Sequence, residues 1–120
     1  IVNPKFIAAF MGTPLVCCWL VAESLAGGVG SSTDVALMFG GALTLIIGEF
    51  LETLVCHIPK NDALAAHKGG NDAEVWAKYY ASWTAWNHVR MVASLATVVQ
   101  FALALFYRGA RLGAGYGGLP

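Results

Sequence analysis

Charge is what this sequence has least of. Charged residues make up 12% of its 120 positions, against roughly a quarter in soluble domains. Seven basic residues are matched by seven acidic ones. There is thus no basic field for nucleic acid and no acidic tail. Cysteine is scarce as well. Cys17, Cys18 and Cys56 are odd in number, the adjacent pair is poorly placed to bridge, and no Cys-x-x-Cys occurs. That pattern argues against a disulfide framework, a zinc site and a redox motif, and the three are expected to pack as small apolar residues. No Glu-x-x-His is present, so the ligand set of di-iron bundles is missing, and neither a metal nor an organic cofactor is expected. No basic segment precedes the first apolar run, as it would in a signal peptide. Ile1-Val2-Asn3-Pro4 is an unusual start, and further residues before Ile1 are expected.

Apolar residues are what the chain has in quantity, at 58%. Three segments have membrane length. The first runs from Phe6 to about Ala26, between Pro4 and Gly27-Gly28. The second runs from Val35 to about Cys56, with Thr33 or Asp34 as its N-cap and Pro59 as its stop. The third runs from Val89 to Tyr107 and ends at Arg108-Gly109. Each holds about 20 residues, enough to cross about 30 Å of hydrocarbon. A polar loop is expected over His57–Asn71. Beyond it, Val75, Trp76, Tyr79, Tyr80, Trp83 and Trp86 recur at three- and four-residue spacing, which predicts an amphipathic helix over Asp72–Trp86. It is free to run unbroken into the third span, and its Trp and Tyr suit an interfacial belt. Residues 1–108 read as one bundle domain and 109–120 as a flexible glycine-rich tail. With three crossings, Lys5, Lys60, Lys68 and Lys78 share one side, opposite Arg108 and Arg111. The positive-inside rule then puts the His57–Trp86 segment on the cytoplasmic side.

Polar residues inside such spans are costly and mark either anchoring or a site. Glu49 and Glu52 share a face of the second span and are expected to find a partner in Arg90 or His88. An Arg90–Glu ion pair would fix helix register. Glu23 reads as an interfacial carboxylate and His67 as a solvated residue. The densest polar cluster is Trp83-Thr84-Ala85-Trp86-Asn87-His88-Val89-Arg90, at the mouth of the third span. There Arg90 could stabilise an oxyanion and Asn87 donate a hydrogen bond, while His88 or His57 moves a proton. The aromatic stripe could stack on a flat ligand, with bundle packing as the alternative.

These motifs resemble the anthrone oxygenase-like family of small membrane proteins. Its pattern is a span ending in Asn-Val-Pro-x-Asn-x-x-Leu, then Trp-x-x-Tyr, Trp-Thr-x-Trp-Asn-His-Val-Arg and a final span. The chain has His57-Ile58-Pro59-Lys60-Asn61-Asp62-Ala63-Leu64, Trp76-Ala77-Lys78-Tyr79 and Trp83 to Arg90, with Asn3-Pro4, Phe6 and Gly12-Thr13 upstream. It departs from the family at His57, where asparagine is usual, and at Lys60, where an apolar residue is common. The resemblance implies a four-helix membrane bundle whose first helix is absent from this sequence. It also implies oxidation of anthrones to anthraquinones by dioxygen without an evident cofactor, as in fungal members; many bacterial relatives have no assigned activity.

The expected fold is therefore an all-α integral membrane bundle, with three spans and one interfacial helix, and a bacterial cytoplasmic membrane is its expected setting. Three functions remain open. One is a cofactor-independent oxygenase of anthrone- or quinol-like aromatics, with His88, Arg90, Asn87 and His57 catalytic and Asn61, Trp83, Trp86 and Tyr79 binding substrate. The second is an accessory subunit of a larger membrane complex. The third is a quinone-, lipid- or pigment-binding module. Membrane lipid is a partner in all three.

Overall fold

The computed structural model describes residues 3–27 and 32–117. Among them there are helices and turns and no strand. Three helices are long and apolar enough to cross a membrane: α1 (Pro4–Ala26), α2 (Thr33–Ala65) and α3 (Asp72–Tyr116). Large apolar side chains such as Leu15, Trp19, Val55 and Leu105 stand exposed on their outer faces, where lipid tails would cover them. The protein is an all-α membrane helical bundle.

Asn3 caps α1, its Oδ1 accepting the Lys5 N–H at 2.9 Å, and Pro4 occupies the first turn. There its missing N–H costs nothing. Pro14, Cys17 and Ser24 form the buried stripe of α1, at helical spacing. Small residues here let two backbones approach in lipid, where no hydrophobic force joins helices. The cysteines are free thiols; Cys17 is buried, Cys56 half-buried and Cys18 exposed.

The centre of the molecule is α2. Both α1 and α3 pack on it, and among the described residues they do not pack on each other. The α2–α3 seam is lined by small residues. A Cβ on Gly41 would meet the Phe101 ring at 2.9 Å, and one on Gly48 would collide with the Ala93 methyl. Ala42, Thr97 and Ala104 are buried in the bundle. Hydroxyls in the spans are satisfied by carbonyls one turn back, as for Thr44 on Gly40, Ser24 on Leu20 and Thr97 on Ala93. This is the usual way to carry serine and threonine through hydrocarbon.

Two features differ from the sequence reading. Pro59 does not end the second span: α2 continues to Ala65, and only residues 66–71 form the connection. The reason lies just before the proline. Ile46–Leu51 and Thr53–His57 are wound as π-helix, and the Ile58 N–H reaches five residues back to the Thr53 carbonyl. Pro59 then falls in the first turn of the α-helical segment Ile58–Ala65, where its ring and missing N–H are tolerated. The amphipathic segment runs unbroken into the third span, as the sequence allows, and forms the first part of α3. No glycine or proline lies between Asp72 and Arg108 to break it. Second, α3 continues through the segment expected as a loose tail, as far as Tyr116. Arg111 anchors it there, its Nη2 lying 2.6 Å from Asp34 Oδ2. Asp34 is thus an inter-helix partner, not the cap expected of it. Ser32 holds the N-cap position without a side-chain hydrogen bond. Residues 118–120, and Gly28 after the first span, lie outside the described residues.

Candidate functional site

Trp83, Asn87, Arg90, Ser94 and Thr97 recur at four- and three-residue steps along α3 and turn toward α2. His88 is one residue from Asn87, about 100° round the helix, and it is exposed. The histidine of the Trp-Asn-His-Val-Arg motif is therefore on another face from the asparagine and arginine.

Arg90 spends its donors close to home. Nη2 donates to Asn87 Oδ1 at 2.7 Å, and Nη1 lies 3.5 Å from Thr53 Oγ1 on α2. Thr53 in turn donates to the Glu49 carbonyl at 2.7 Å. The Ser94 hydroxyl is 3.0 Å from both Glu49 Oε2 and the Arg90 carbonyl, and its one proton serves either. The Arg90–Glu49 or Arg90–Glu52 ion pair expected from the sequence is not formed: among the described residues no carboxylate lies within ion-pair distance of Arg90.

Because α1 and α3 touch only α2, a slot remains between them with Glu49 in it. This recess has a volume of about 390 Å³ and is lined by Phe6, Phe10, Glu49, Asn87, Arg90, Met91 and Ser94. A volume of that size falls within the range of small-molecule sites, roughly 300–1,000 Å³. A smaller hollow of about 160 Å³ adjoins it, sharing Phe6, Phe10 and Glu49 and adding Pro14, Leu45 and Phe50. Phe6 stacks on Phe10 with ring centres 5.8 Å apart, and Phe10 meets Phe50 at 5.3 Å. One wall is thus aromatic and the other carries a guanidinium, an amide and a hydroxyl.

His57 is elsewhere. It is 3% exposed, its Nδ1 sits 2.8 and 3.0 Å from the two oxygens of Glu52, and its Nε2 is buried without a hydrogen-bond partner. Trp83 presents an edge-on ring contact at 5.2 Å. The other expected binding residues clasp the ends of α2 and α3 together. The Tyr79 hydroxyl donates to Asn61 Oδ1 at 2.7 Å, and the Lys60 ammonium lies over the Trp86 ring at 5.8 Å. Tyr79 also lines a groove of about 260 Å³ with Lys60, Leu64 and Val75. His67, expected to be solvated, lies 3.2 Å from Asp72.

The eight candidate residues therefore fall into separate places. Asn87 and Arg90 share the recess, His57 and Trp83 share a buried contact, and Asn61, Tyr79 and Trp86 clasp the helix ends, with His88 outside. The sequence reading missed Ser94 and the Phe6–Phe10 wall, and it took Glu49 as a partner for Arg90 or His88. Ser94 was visible in principle, since it lies four residues beyond Arg90 and seven beyond Asn87. Nothing in the sequence says that α1 faces Arg90.

A protein-family model described as anthrone oxygenase matches residues 5–100. The chain belongs to the anthrone oxygenase family. The matched region takes in every residue lining the recess. Neither a curated protein nor a solved structure matches the chain. Within this anthrone oxygenase-family chain, the family motif supplies two recess residues, Asn87 and Arg90, from one turn of α3.

Proposed function

We propose that the chain binds a flat, oxygen-bearing aromatic of the anthrone or quinol type in the recess between α1 and α3, and oxidises it with dioxygen. The observation that carries this reading is the convergence of Arg90, Asn87, Ser94 and Glu49 on one aromatic-walled recess inside the membrane spans. Arg90 holds the substrate oxygen and stabilises negative charge as it develops there, while Asn87 fixes the guanidinium. Phe6 and Phe10 stack on the ring system. For an anthrone the overall change is balanced by dioxygen alone. The methylene loses both hydrogens and gains one oxygen atom as a carbonyl, and the second oxygen atom leaves as water.

A ligand-binding role without turnover is favoured by one observation, the position of His88 outside the recess. An accessory subunit has no need of a cavity at the Trp83–Arg90 cluster, and the recess beside Asn87 and Arg90 favours the other two readings. On the charge distribution, the Lys60–Lys78 end faces the cytoplasm of a bacterial cell, so substrate arrives from the bilayer or from that side. The test is an anthrone–dioxygen assay on the protein in nanodiscs. Anthraquinone formed in step with oxygen uptake supports the enzyme. Saturable anthrone binding with no product supports the binding module. No binding removes both.

A further inference from the structure

The recess holds a cation and a carboxylate that do not meet. Arg90 and Glu49 both line it, yet they form no ion pair. Each is half-buried and is held by a neutral partner, Arg90 by Asn87 and Glu49 by Ser94. Glu49 is also held in place. Ser94 reaches its Oε2 at 3.0 Å, and among the described residues its Oε1 has no hydrogen-bond partner.

Resting on the proposed site, we infer that Glu49 is the catalytic proton acceptor for a carbon acid or phenol whose oxygen is held by Arg90. Elimination supports this. Phe6, Phe10 and Met91 cannot accept a proton, Asn87 and Ser94 are far too weak as bases, and Arg90 stays charged. His57 does not line the recess and is committed to Glu52 through Nδ1; His88 is exposed. Glu49 is the remaining base.

In an anthrone the carbonyl oxygen and the acidic methylene lie on opposite edges of the central ring, so a bound anthrone would meet Arg90 with one edge and Glu49 with the other. The step is a proton transfer. The methylene C–H bond breaks, the proton goes to a Glu49 carboxylate oxygen, and the electron pair delocalises into the ring system as an enolate whose oxygen lies on Arg90. Nothing is oxidised at this stage. Dioxygen takes electrons only from the enolate.

The test separates this step from turnover. Anthrone is titrated under argon into the protein in nanodiscs, and the long-wavelength absorption of the anthrone enolate is followed alongside binding. The native chain is expected to show the enolate band. Glu49→Gln is expected to bind anthrone but form the band about a hundredfold more slowly, the lower range of a general base, while Glu49→Asp retains part of the rate. Glu49→Leu serves as the second carboxylate-free variant. It removes a group that is costly in hydrocarbon, so it folds where glutamine does not. A band that forms at the native rate in the glutamine or leucine variant overturns the assignment, as does native protein that binds anthrone only in its keto form. Native protein that binds no anthrone at all overturns the site reading itself, and the inference with it.

Discussion

Glu52 and His57 are five residues apart on one helix, and they hold each other. In an α-helix that spacing leaves two side chains about 140° apart round the axis. Here the π-helical turn brings residues i and i+5 into line, so His57 Nδ1 reaches both Glu52 oxygens. The widened turn therefore does two things. It satisfies a carboxylate inside a span, and it lets the helix pass Pro59.

If the pair holds the π turn, breaking one half is worse than removing both. Glu52→Ala leaves His57 buried with neither ring nitrogen paired, a loss of about 1–3 kcal/mol. The double variant Glu52→Leu with His57→Leu is expected to lie closer to the native stability. Unfolding of the three variants in mixed micelles gives the comparison. Equal losses in the single and double variants would show that the contact carries no coupling.

The seam between α2 and α3 depends on Gly48. A larger side chain there runs into Ala93, so Gly48→Leu is expected to cost about 1–3 kcal/mol through overpacking. Gly12, with open space around its would-be Cβ, accepts alanine without such loss. Retained stability in Gly48→Leu, read by the same unfolding measurement, would mean that the helices approach less closely than described.

Arg90 and His88 should separate in the anthrone–dioxygen assay. Arg90→Ala loses the group proposed to hold the developing oxyanion, and turnover is expected to fall about a hundredfold. His88→Ala removes an exposed side chain outside the recess, and turnover stays near the native value. A collapse of activity in His88→Ala with the fold intact would move the chemistry away from the recess.

The last turns of α3 are tied down by Arg111. Its contacts to Asp34 and Ser32 bridge the start of α2 and the end of α3. Arg111→Ala is expected to raise amide hydrogen exchange over residues 109–115 while leaving residues 90–100 unchanged. Identical exchange in both proteins would assign that segment's helicity to its own propensity.

Much of this was legible in the sequence. The length and apolarity of the three segments predict the spans, since lipid leaves a backbone little choice but helix. The spacing of Val75, Tyr79, Trp83 and Trp86 predicts the helix that becomes the first part of α3. The Trp-Asn-His-Val-Arg motif marks Asn87 and Arg90 because those residue types are costly in a membrane without a task. Other readings failed for local reasons. Pro59 looks like a stop because proline breaks an α-helix, and the sequence carries no sign that the preceding turn is π. Residues 109–116 look loose because glycine weakens helices, and the Arg111–Asp34 contact spans 77 positions.

By itself, then, the sequence determined that this is a membrane bundle, where its three described apolar helices lie, and which turn of α3 gathers the polar residues. Those properties follow from composition and periodicity, which act within one helix at a time. Only the tertiary structure decided that Glu52 belongs to His57 and not to Arg90, that His88 is outside the recess, and that Phe6 and Glu49 share a slot with Arg90. Each of those depends on helix rotation and on the π register of α2, matters of packing between segments that no local pattern encodes.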